Sequence, residues 1–389
     1  MVTINNKKNN TSEVGNTRKV SERVKLILWG MAAGRCEICN RLLYMDLTFG
    51  IIDNFAERAH IHAVSKNGPR FKEDMSDEEC NDVNNLMLLC QEHHKMVDDS
   101  PEDFQSDFLI EMKRIHEERI RKLTEISDDQ TTSIVAYISN IDGLQITHES
   151  ILFRQALVQE GLLPKQNNTV DLSSHSVRYQ PNQDYYLSKA NELESAFKEY
   201  FEPIFKKEDA VALFALAPQP MLIKLGTLIN DQYNVRVFQC HRTGHKWAWK
   251  DSNDTEEYQL LKADEKDKND AVIVGLNISL SADISIERIK QILPSDSPVF
   301  KITINDPNRN FVTNENIAND FVKCFRVAME QIKNQYPSCK AIHLFPAMPV
   351  SLAVRLGMDY MPKADLPIVI YDEVRELGGF IETIKIGGI

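Results

Sequence analysis

Two pairs of metal-ligand residues constrain the first part of the chain more than any other feature. Cys36 and Cys39 form a Cys-x-x-Cys pair, and Cys90 and His93 form a Cys-x-x-His pair. Two intervening residues allow both side chains of a pair to reach one tetrahedral zinc ion, and four protein ligands leave no open position for water. The pattern therefore predicts a structural zinc with a small subdomain between the pairs. The alternative is that these are ordinary buried cysteines.

Length and composition narrow the class of protein. A chain of 389 residues is long enough for two or three domains. Its seven cysteines are odd in number and scattered, which argues against a disulfide framework and favours a reduced compartment. The sequence contains no long apolar run typical of a membrane helix, and its polar N-terminus lacks the apolar core of a signal peptide. We therefore expect a cytoplasmic protein without membrane contact.

The domain organisation follows from changes in composition and periodicity. Residues 1–17 are polar and predict a disordered tail. Residues 18–126 predict an α+β domain built around the zinc. The stretch 127–133 is the best linker, and residues 134–389 predict a larger α/β domain. In that domain strand-like apolar runs alternate with helical stretches, which favours a largely parallel sheet.

Three helices are predicted in the first domain. Residues 19–33 carry apolar residues at helical spacing, with Ser21 as N-cap and Gly34 just past the end. A short helix is predicted over 82–96, and an amphipathic helix over 102–126.

Two segments of the larger domain resemble each other. VALFALAPQPMLIKLG and AIHLFPAMPVSLAVRLG each predict a strand, a turn with two prolines and a helix that ends in glycine. No strict repeat accompanies them, so the sequence leaves open whether the fold is duplicated.

Polar motifs lie between and around the zinc pairs in a fixed order. They are Ala59-His60-Ile61, Gly68-Pro69-Arg70, Asn85-Leu86 and His93-His94. Together with the zinc pairs, this order resembles the HNH, or ββα-metal, nuclease family over roughly residues 30–100. The resemblance implies that His60 is the general base, that Asn85 orients its imidazole or its strand, and that His94 holds a catalytic divalent ion, Mg²⁺ or similar. An imidazole is a good base at neutral pH.

The match departs from the family at one position. Many members have a second metal ligand directly before the base, where this chain has Ala59. The candidates to replace it are Glu57, on the strand face of Ala59, and Asp98, one helical turn after His94. Three further questions stay open. Asp46 and Asp53 are remaining ligand candidates, His62 is either a partly exposed strand residue or a phosphate contact, and Asn84 could exchange roles with Asn85.

The region from about residue 132 onward resembles the SAVED domain, a sensor of cyclic oligonucleotides built from two CARF-like, Rossmann-like α/β units. The segments that carry the resemblance are HLFPAMP at 343–349, Leu352-Ala353, Leu356-Gly357, Ile370-Tyr371-Asp372, His241-Arg242-Thr243 and Trp247-Ala248-Trp249. An HNH domain followed by SAVED resembles the effector nuclease of bacterial cyclic-oligonucleotide anti-phage signalling systems (CBASS).

This resemblance implies that a cyclic di- or trinucleotide binds the SAVED domain, and that a homo-oligomer then degrades double-stranded DNA. The net charge of −12 fits that scheme, since an acidic protomer binds phosphates poorly. Assembly would place several nuclease modules on one duplex.

Candidate ligand-binding residues follow from the chemistry of a cyclic nucleotide. Backbone N–H groups at a helix N-terminus suit phosphates, and aromatic or arginine planes suit bases. The turn between strand and helix is where open α/β sheets bind ligands, and Pro218–Met221 is the corresponding earlier turn. The candidates are Arg242, Trp247, Trp249, Pro346, Ala347, Met348 and Ser351. Both tryptophans are equally compatible with core packing.

Two other functions compete with this one. A restriction-type HNH endonuclease would read DNA with a basic C-terminal domain, yet KADEKDKND and its surroundings are mixed to acidic. A non-catalytic DNA- or nucleotide-binding scaffold would need neither His60 nor His94.

Overall fold

The computed structural model divides the chain into two compact units, Met1–Glu125 and Ile126–Ile389. It describes residues 20–127, 129–141, 150–171, 179–180, 182–205, 210–242, 247–250, 252–262 and 270–388. The predicted disordered tail at 1–17 lies outside the described residues. Among the helices described, none is both long and apolar enough to cross a membrane.

The first unit has four helices and four short strands in its described part. They are α1 (Glu22–Met31), β1 (Met45–Asp46), β2 (Ile51–Ile52), β3 (Ala56–His60), α2 (Asp77–Cys80), β4 (Leu86–Cys90), α3 (Gln91–Asp99) and α4 (Ser106–Glu125). Strands β1 and β2 form one antiparallel pair, and β3 and β4 form another.

Helix α1 begins and ends as the sequence predicts. The Ser21 side chain accepts a hydrogen bond from the Val24 N–H, which satisfies one of the open donors of the first turn. After the helix the chain passes through Ala33 and Gly34 at φ values of 50° and 65°. This left-handed exit turns the chain into the first cysteine pair.

The helix predicted over 82–96 is wrong for its central part. A single 3-10 turn at Val83–Asn85 is followed by strand β4, and helix begins only at Gln91. All five residues of β4 are buried, so the apolar run has the all-buried pattern of an internal strand. It pairs with β3 so that His60 lies opposite Leu86. Strands β3 and β4 with helix α3 form the ββα arrangement.

The second unit contains ten strands and seven helices in its described part. They are β5 (Thr131–Ile138), α5 (Ser150–Gln159), β6 (Leu163–Asp171), α6 (Gln183–Ala196), α7 (Glu202–Phe205), β7 (Val211–Leu216), α8 (Gln219–Ile229), β8 (Val235–Phe238), β9 (Gln259–Lys262), β10 (Ile273–Ser279), α9 (Ile286–Lys290), β11 (Val299–Thr303), α10 (Glu315–Gln335), β12 (Ala341–Ala347), α11 (Val350–Asp359), β13 (Ile368–Val374) and β14 (Gly379–Ile386).

The predicted linker at 127–133 is shorter than expected because β5 already begins at Thr131. Ser133 pairs with Val211, and the Thr132 hydroxyl donates to the Ala210 carbonyl. These residues are buried and are therefore part of the sheet. Polar Ser and Thr side chains concealed this from composition alone.

The strands of the second unit form two sheets with the same internal order. The first sheet runs β6-β5-β7-β8 and is entirely parallel. The second runs β14-β13-β12-β10-β11-β9, with four parallel inner strands and antiparallel edges. If the parallel strands of each sheet are numbered along the chain, both sheets have the order 2-1-3-4. The predicted largely parallel α/β architecture is confirmed.

Helices α8 and α11 pack against each other through two glycines, Gly226 and Gly357. A Cβ atom on Gly226 would lie 2.1 Å from the Val354 carbonyl oxygen, and one on Gly357 would lie 2.1 Å from the Ile223 carbonyl oxygen. These are the glycines that close the two similar segments. They lie inside the helices, which run on to Ile229 and Asp359, and not at helix ends as the sequence indicated.

We predict that Gly226→Ala destabilises the second unit by about 3 kcal/mol, because the methyl group meets backbone that no side-chain rotation can move. Gly379→Ala is the matched control, since a Cβ there meets nothing within 4 Å. Urea unfolding followed by tryptophan fluorescence measures both changes. Equal midpoints for the two variants would contradict the close helix contact.

Candidate functional site

The structure brings the four predicted zinc ligands together. The ligand atoms of Cys36, Cys39, Cys90 and His93 all lie within 4.8 Å of one another. The Cys90 Sγ is 3.1 Å from the His93 Nδ1, and the Cys39 and Cys90 Sγ atoms are 4.0 Å apart. Tetrahedral zinc with bonds of about 2.0–2.3 Å requires ligand separations of about 3.5–3.8 Å. The residues therefore fit a structural zinc ion.

A buried charged residue fixes the knuckle that carries the first cysteine pair. Glu37 is almost fully buried, and its carboxylate accepts the Leu88 N–H of β4 while Lys113 of α4 lies 3.4 Å away. Burial raises the pKa of Glu37 to about 7, and the Lys113 charge opposes that shift. Sequence reasoning missed this contact, although a charged residue inside a Cys-x-x-Cys pair was a visible signal.

His60 is the last residue of β3, and one nitrogen of its imidazole ring is available to accept a proton. Its Nε2 is buried and has no hydrogen-bond partner within the described residues. Burial lowers the pKa of His60, while a side-chain hydrogen bond with Asn81 and the negative charge of Asp98 oppose the shift. The imidazole is therefore neutral at neutral pH. Asn81 is a second contact that the sequence did not reveal.

His94 and Asp98 form the candidate site for a second cation on α3. The His94 Nε2 and the Asp98 Oδ2 are 3.8 Å apart, one helical turn from each other. Within the described residues, the zinc quartet is the one group of three or more His, Cys, Asp or Glu side chains that clusters closely enough for a metal. Among the described residues, no third side chain of these types lies close enough to His94 and Asp98 to form such a cluster with them. Of the two predicted substitutes for the ligand missing at position 59, Asp98 is the one that lies beside His94.

The other acidic candidates are engaged or exposed. Glu57 is exposed on β3 opposite Leu89. The Asp46 carboxylate accepts the N–H groups of Thr48 and Phe49, and the Asp53 carboxylate accepts that of Asn54. Both aspartates therefore stabilise turns.

Asn85 holds the chain that follows the base. Its side-chain oxygen accepts the His62 N–H, and its amide donates to the carbonyls of His62 and Cys80, each at 2.9 Å. Asn84 is exposed and bonds only locally to Asp82. The geometry favours Asn85 as the residue that fixes the strand of His60.

His62 makes its contacts inside the protein. Its Nδ1 lies 3.0 Å from the Arg70 carbonyl oxygen and 3.3 Å from the Ser106 hydroxyl. These contacts favour the interpretation of His62 as a structural residue over a phosphate contact.

In the second unit the two proline turns are linked by glutamines. Gln219, at the start of α8, donates to the Met348 carbonyl at 2.7 Å. The Gln239 oxygen accepts both the N–H and the hydroxyl of Ser351. Ser351 and Met348 are buried, as is Pro346, whereas Ala347 is half-buried. The N-termini of α8 and α11 therefore lie in one connected region.

The aromatic candidates differ in their ring contacts. Trp247 is buried, with T-shaped ring contacts to Phe153 and Phe214, which is the core packing that the sequence left open. Trp249 lies edge-on to His241, with 6.2 Å between ring centroids. Both tryptophans are buried in the same hydrophobic core, whereas Arg242 is exposed.

Several buried polar atoms at the carboxyl edge of the first sheet have no hydrogen-bond partner in the part of the chain that the structure describes. They are Asn140 Oδ1 after β5, Gln219 Oε1 at the start of α8, His241 Nε2 after β8, and the Nε1 atoms of Trp247 and Trp249. Such atoms are costly to bury unpaired. Burial lowers the pKa of His241 to about 4, so its ring is neutral. Of these residues the sequence analysis selected the two tryptophans as ligand-binding candidates.

Family models match both units. The HNH endonuclease model matches residues 36–100, and the model for the SMODS-associated and fused to various effectors sensor domain, SAVED, matches residues 193–386. A segment that matches an HNH endonuclease domain therefore precedes a segment that matches a SAVED sensor domain. No curated protein matches the chain.

Solved structures of SAVED/CARF-domain receptors are similar to the chain. Acinetobacter baumannii Cap4 with the cyclic trinucleotide 2'3'3'-cAAA shares 15% identity, with a TM-score of 0.46, over 80% of this chain and 65% of that one. The same receptor with 3'3'3'-cAAA shares 15% identity, with a TM-score of 0.46, over 81% of this chain and 67% of that one. Moraxella osloensis Cap4 shares 12% identity, with a TM-score of 0.41, over 75% of this chain and 60% of that one. The chain thus spans 60–67% of the length of these receptors.

We predict that Cys90→Ser removes zinc from the protein and unfolds the first unit, because the ligand set then lacks one thiolate. Cys80→Ala is the control, since this buried cysteine lies outside the quartet. Mass spectrometry of bound metal and hydrogen exchange of β4 and α3 measure the effect. Retention of one zinc per chain by Cys90→Ser would refute the assignment.

We predict that Asn85→Ala lowers the stability of the first unit by about 2–4 kcal/mol, because two partly buried backbone groups of His62 and the Cys80 carbonyl lose their partner. Asn84→Ala, at an exposed neighbour, should change the stability by about 0.5 kcal/mol or less. Calorimetric unfolding of both variants provides the comparison. The opposite ranking would assign the structural role to Asn84.

Proposed function

We propose that this protein is a DNA endonuclease that a cyclic di- or trinucleotide activates, and that it degrades DNA in bacterial anti-phage defence of the CBASS type. The observation that carries the proposal is the order of the two matched domains, an HNH endonuclease followed by a SAVED sensor. The proposal places the protein in the cytoplasm, where both DNA and nucleotide messengers are present.

The chemistry of the first unit supports phosphodiester hydrolysis. His60 Nε2 accepts a proton from the attacking water, and burial keeps the ring in the neutral form that a base requires. His94 and Asp98 would hold Mg²⁺ or a similar ion after a small side-chain movement, since their ligand atoms are 3.8 Å apart and neighbouring ligands of an octahedral ion with bonds of about 2.1 Å lie about 3.0 Å apart. A cation bound there supplies positive charge opposite the leaving oxygen.

The topology of the second unit supports two CARF-like, Rossmann-like halves. Both sheets share the strand order 2-1-3-4, and α8 and α11 occupy the same place in each half. In sheets of this kind, ligands bind beyond the carboxyl ends of the strands where the strand order reverses.

The unpaired polar atoms at the carboxyl edge of the first sheet support a ligand there. Gln219 and His241 offer an acceptor and a neutral imidazole, and Trp249 offers an indole N–H. The edges of nucleobases present complementary donors and acceptors. Arg242, an exposed guanidinium, suits the phosphates.

The charge of the chain supports activation by assembly. A net charge of −12 disfavours binding of one protomer to DNA. A ligand that favours a homo-oligomer would place several nuclease units on the same double-stranded DNA and raise their effective concentration.

The test is plasmid cleavage by the full chain with Mg²⁺ or Mn²⁺, with and without a panel of cyclic di- and trinucleotides. We expect cleavage with one of them and little without. His60→Gln should lower kcat by about 10²–10⁴-fold because it removes the base. It should bind the same nucleotide with unchanged affinity by calorimetry.

Two results would contradict the proposal. Equal cleavage with and without every nucleotide would favour the restriction-type alternative, in which the second unit recognises DNA. Full activity of His60→Gln would remove the base from its role. Light scattering of the nucleotide complex tests the oligomer separately.

A further inference from the structure

Arg70 lies at the centre of the first unit in an unusual backbone conformation. Its φ is 58°, a left-handed value that is uncommon for a side chain larger than glycine or asparagine. Its side chain is only 5% exposed. A strained, buried arginine must be held by specific contacts, since neither its backbone nor its charge is favourable there alone.

The guanidinium group binds backbone carbonyls from three separate segments. Its Nε donates to Ile61 at 2.8 Å, and its Nη2 lies 3.5 Å from the carbonyl oxygen of His60. Its Nη1 donates to Val97 of α3 at 2.8 Å and to Phe104, before α4, at 3.3 Å. One planar group therefore joins the end of β3, the helix of the candidate cation site and the approach to α4.

The same side chain also reaches the cation site directly. Its Nη2 is 3.8 Å from the Asp98 Oδ1, while the other carboxylate oxygen faces His94. The Arg70 carbonyl in turn contacts the His62 ring. Arg70 therefore contacts both β3, which carries His60, and α3, which carries His94 and Asp98.

We propose that Arg70 is a positioning residue for hydrolysis, which sets the separation between His60 and the His94–Asp98 pair. This inference rests on the proposed nuclease function. Arg70 does not touch DNA or water in this role. It acts because a guanidinium is a rigid fork whose donors point in several fixed directions, which an ammonium group cannot reproduce.

Arg70→Lys tests the fork while keeping the positive charge. We expect bound zinc to stay close to that of the unchanged protein and the unfolding midpoint to fall, because a lysine leaves several of these carbonyl groups without a partner. Activity is therefore measured at a temperature where both proteins are fully folded. We expect kcat to fall by about 100-fold, because small displacements of reacting groups have effects of that size. KM for DNA should change by less than about threefold, since Arg70 makes no substrate contact. Arg114→Lys, at an exposed arginine, is the matched control and should keep full activity.

Arg70→Gly with added guanidinium ion provides a rescue experiment. Glycine adopts the left-handed φ without strain and leaves a cavity for the ion. We expect millimolar guanidinium chloride to restore at least about tenfold in kcat, on the scale of the loss expected above. Sodium chloride of the same concentration should not. The unfolding midpoint is measured with and without the ion, because an ion that binds only the folded protein also stabilises it. A rise in kcat that merely follows a rise in the folded fraction would contradict a positioning role.

A readout independent of cleavage separates this inference from the proposed function. The imidazole NMR signals of His60 and His94, assigned with His60→Gln and His94→Gln, should shift or broaden in Arg70→Lys and not in Arg114→Lys. Unchanged signals, or kcat of Arg70→Lys within about threefold of the unchanged protein, would overturn the role. If the unchanged protein cleaves no DNA under any condition, the nuclease proposal fails, and the imidazole signals alone decide whether Arg70 positions these rings.

Discussion

The convergence of Cys36 and Cys39 with Cys90 and His93 is the constraint on which the first unit depends. The two pairs are far apart in the chain, and the segment between them contains the base strand. A tetrahedral ion would fix the knuckle beside the junction of β4 and α3. In the pairing of β4 with β3, Cys90 lies opposite Ala56, and His60 lies opposite Leu86 at the other end of the pair. The candidate zinc site therefore anchors one end of the strand pair that carries His60.

Buried polar residues complete what the metal ligands begin. Glu37 ties the knuckle to β4 and α4, Asn85 ties the loop after β3 to the chain before β4, and Arg70 ties β3 to α3. Each satisfies backbone groups that would otherwise be buried without partners, which is costly. The first unit has a small hydrophobic core. These polar contacts therefore stabilise it as much as apolar packing does.

The second unit depends on a different contact, the approach of two helices at paired glycines. Gly226 and Gly357 bring the backbones of α8 and α11 close enough that no methyl group fits between them. The two proline turns at the start of these helices are consequently adjacent and are joined by the Gln219–Met348 hydrogen bond. A ligand at this edge would contact both halves, so its binding can be transmitted between them.

The sequence by itself determined the zinc pairs, the Ser21 cap and the parallel α/β class, because these depend on local spacing and periodicity. It also placed His60 and Asn85 in one motif. Only the tertiary structure decided that 86–90 is a strand, that Trp247 packs in the core, and that Glu37, Asn81 and Arg70 belong to the site. Glu37 inside the Cys-x-x-Cys pair and Arg70 in the Gly68-Pro69-Arg70 motif were visible in the sequence. Their partners were not, because spacing and periodicity do not specify contacts between residues distant in the chain.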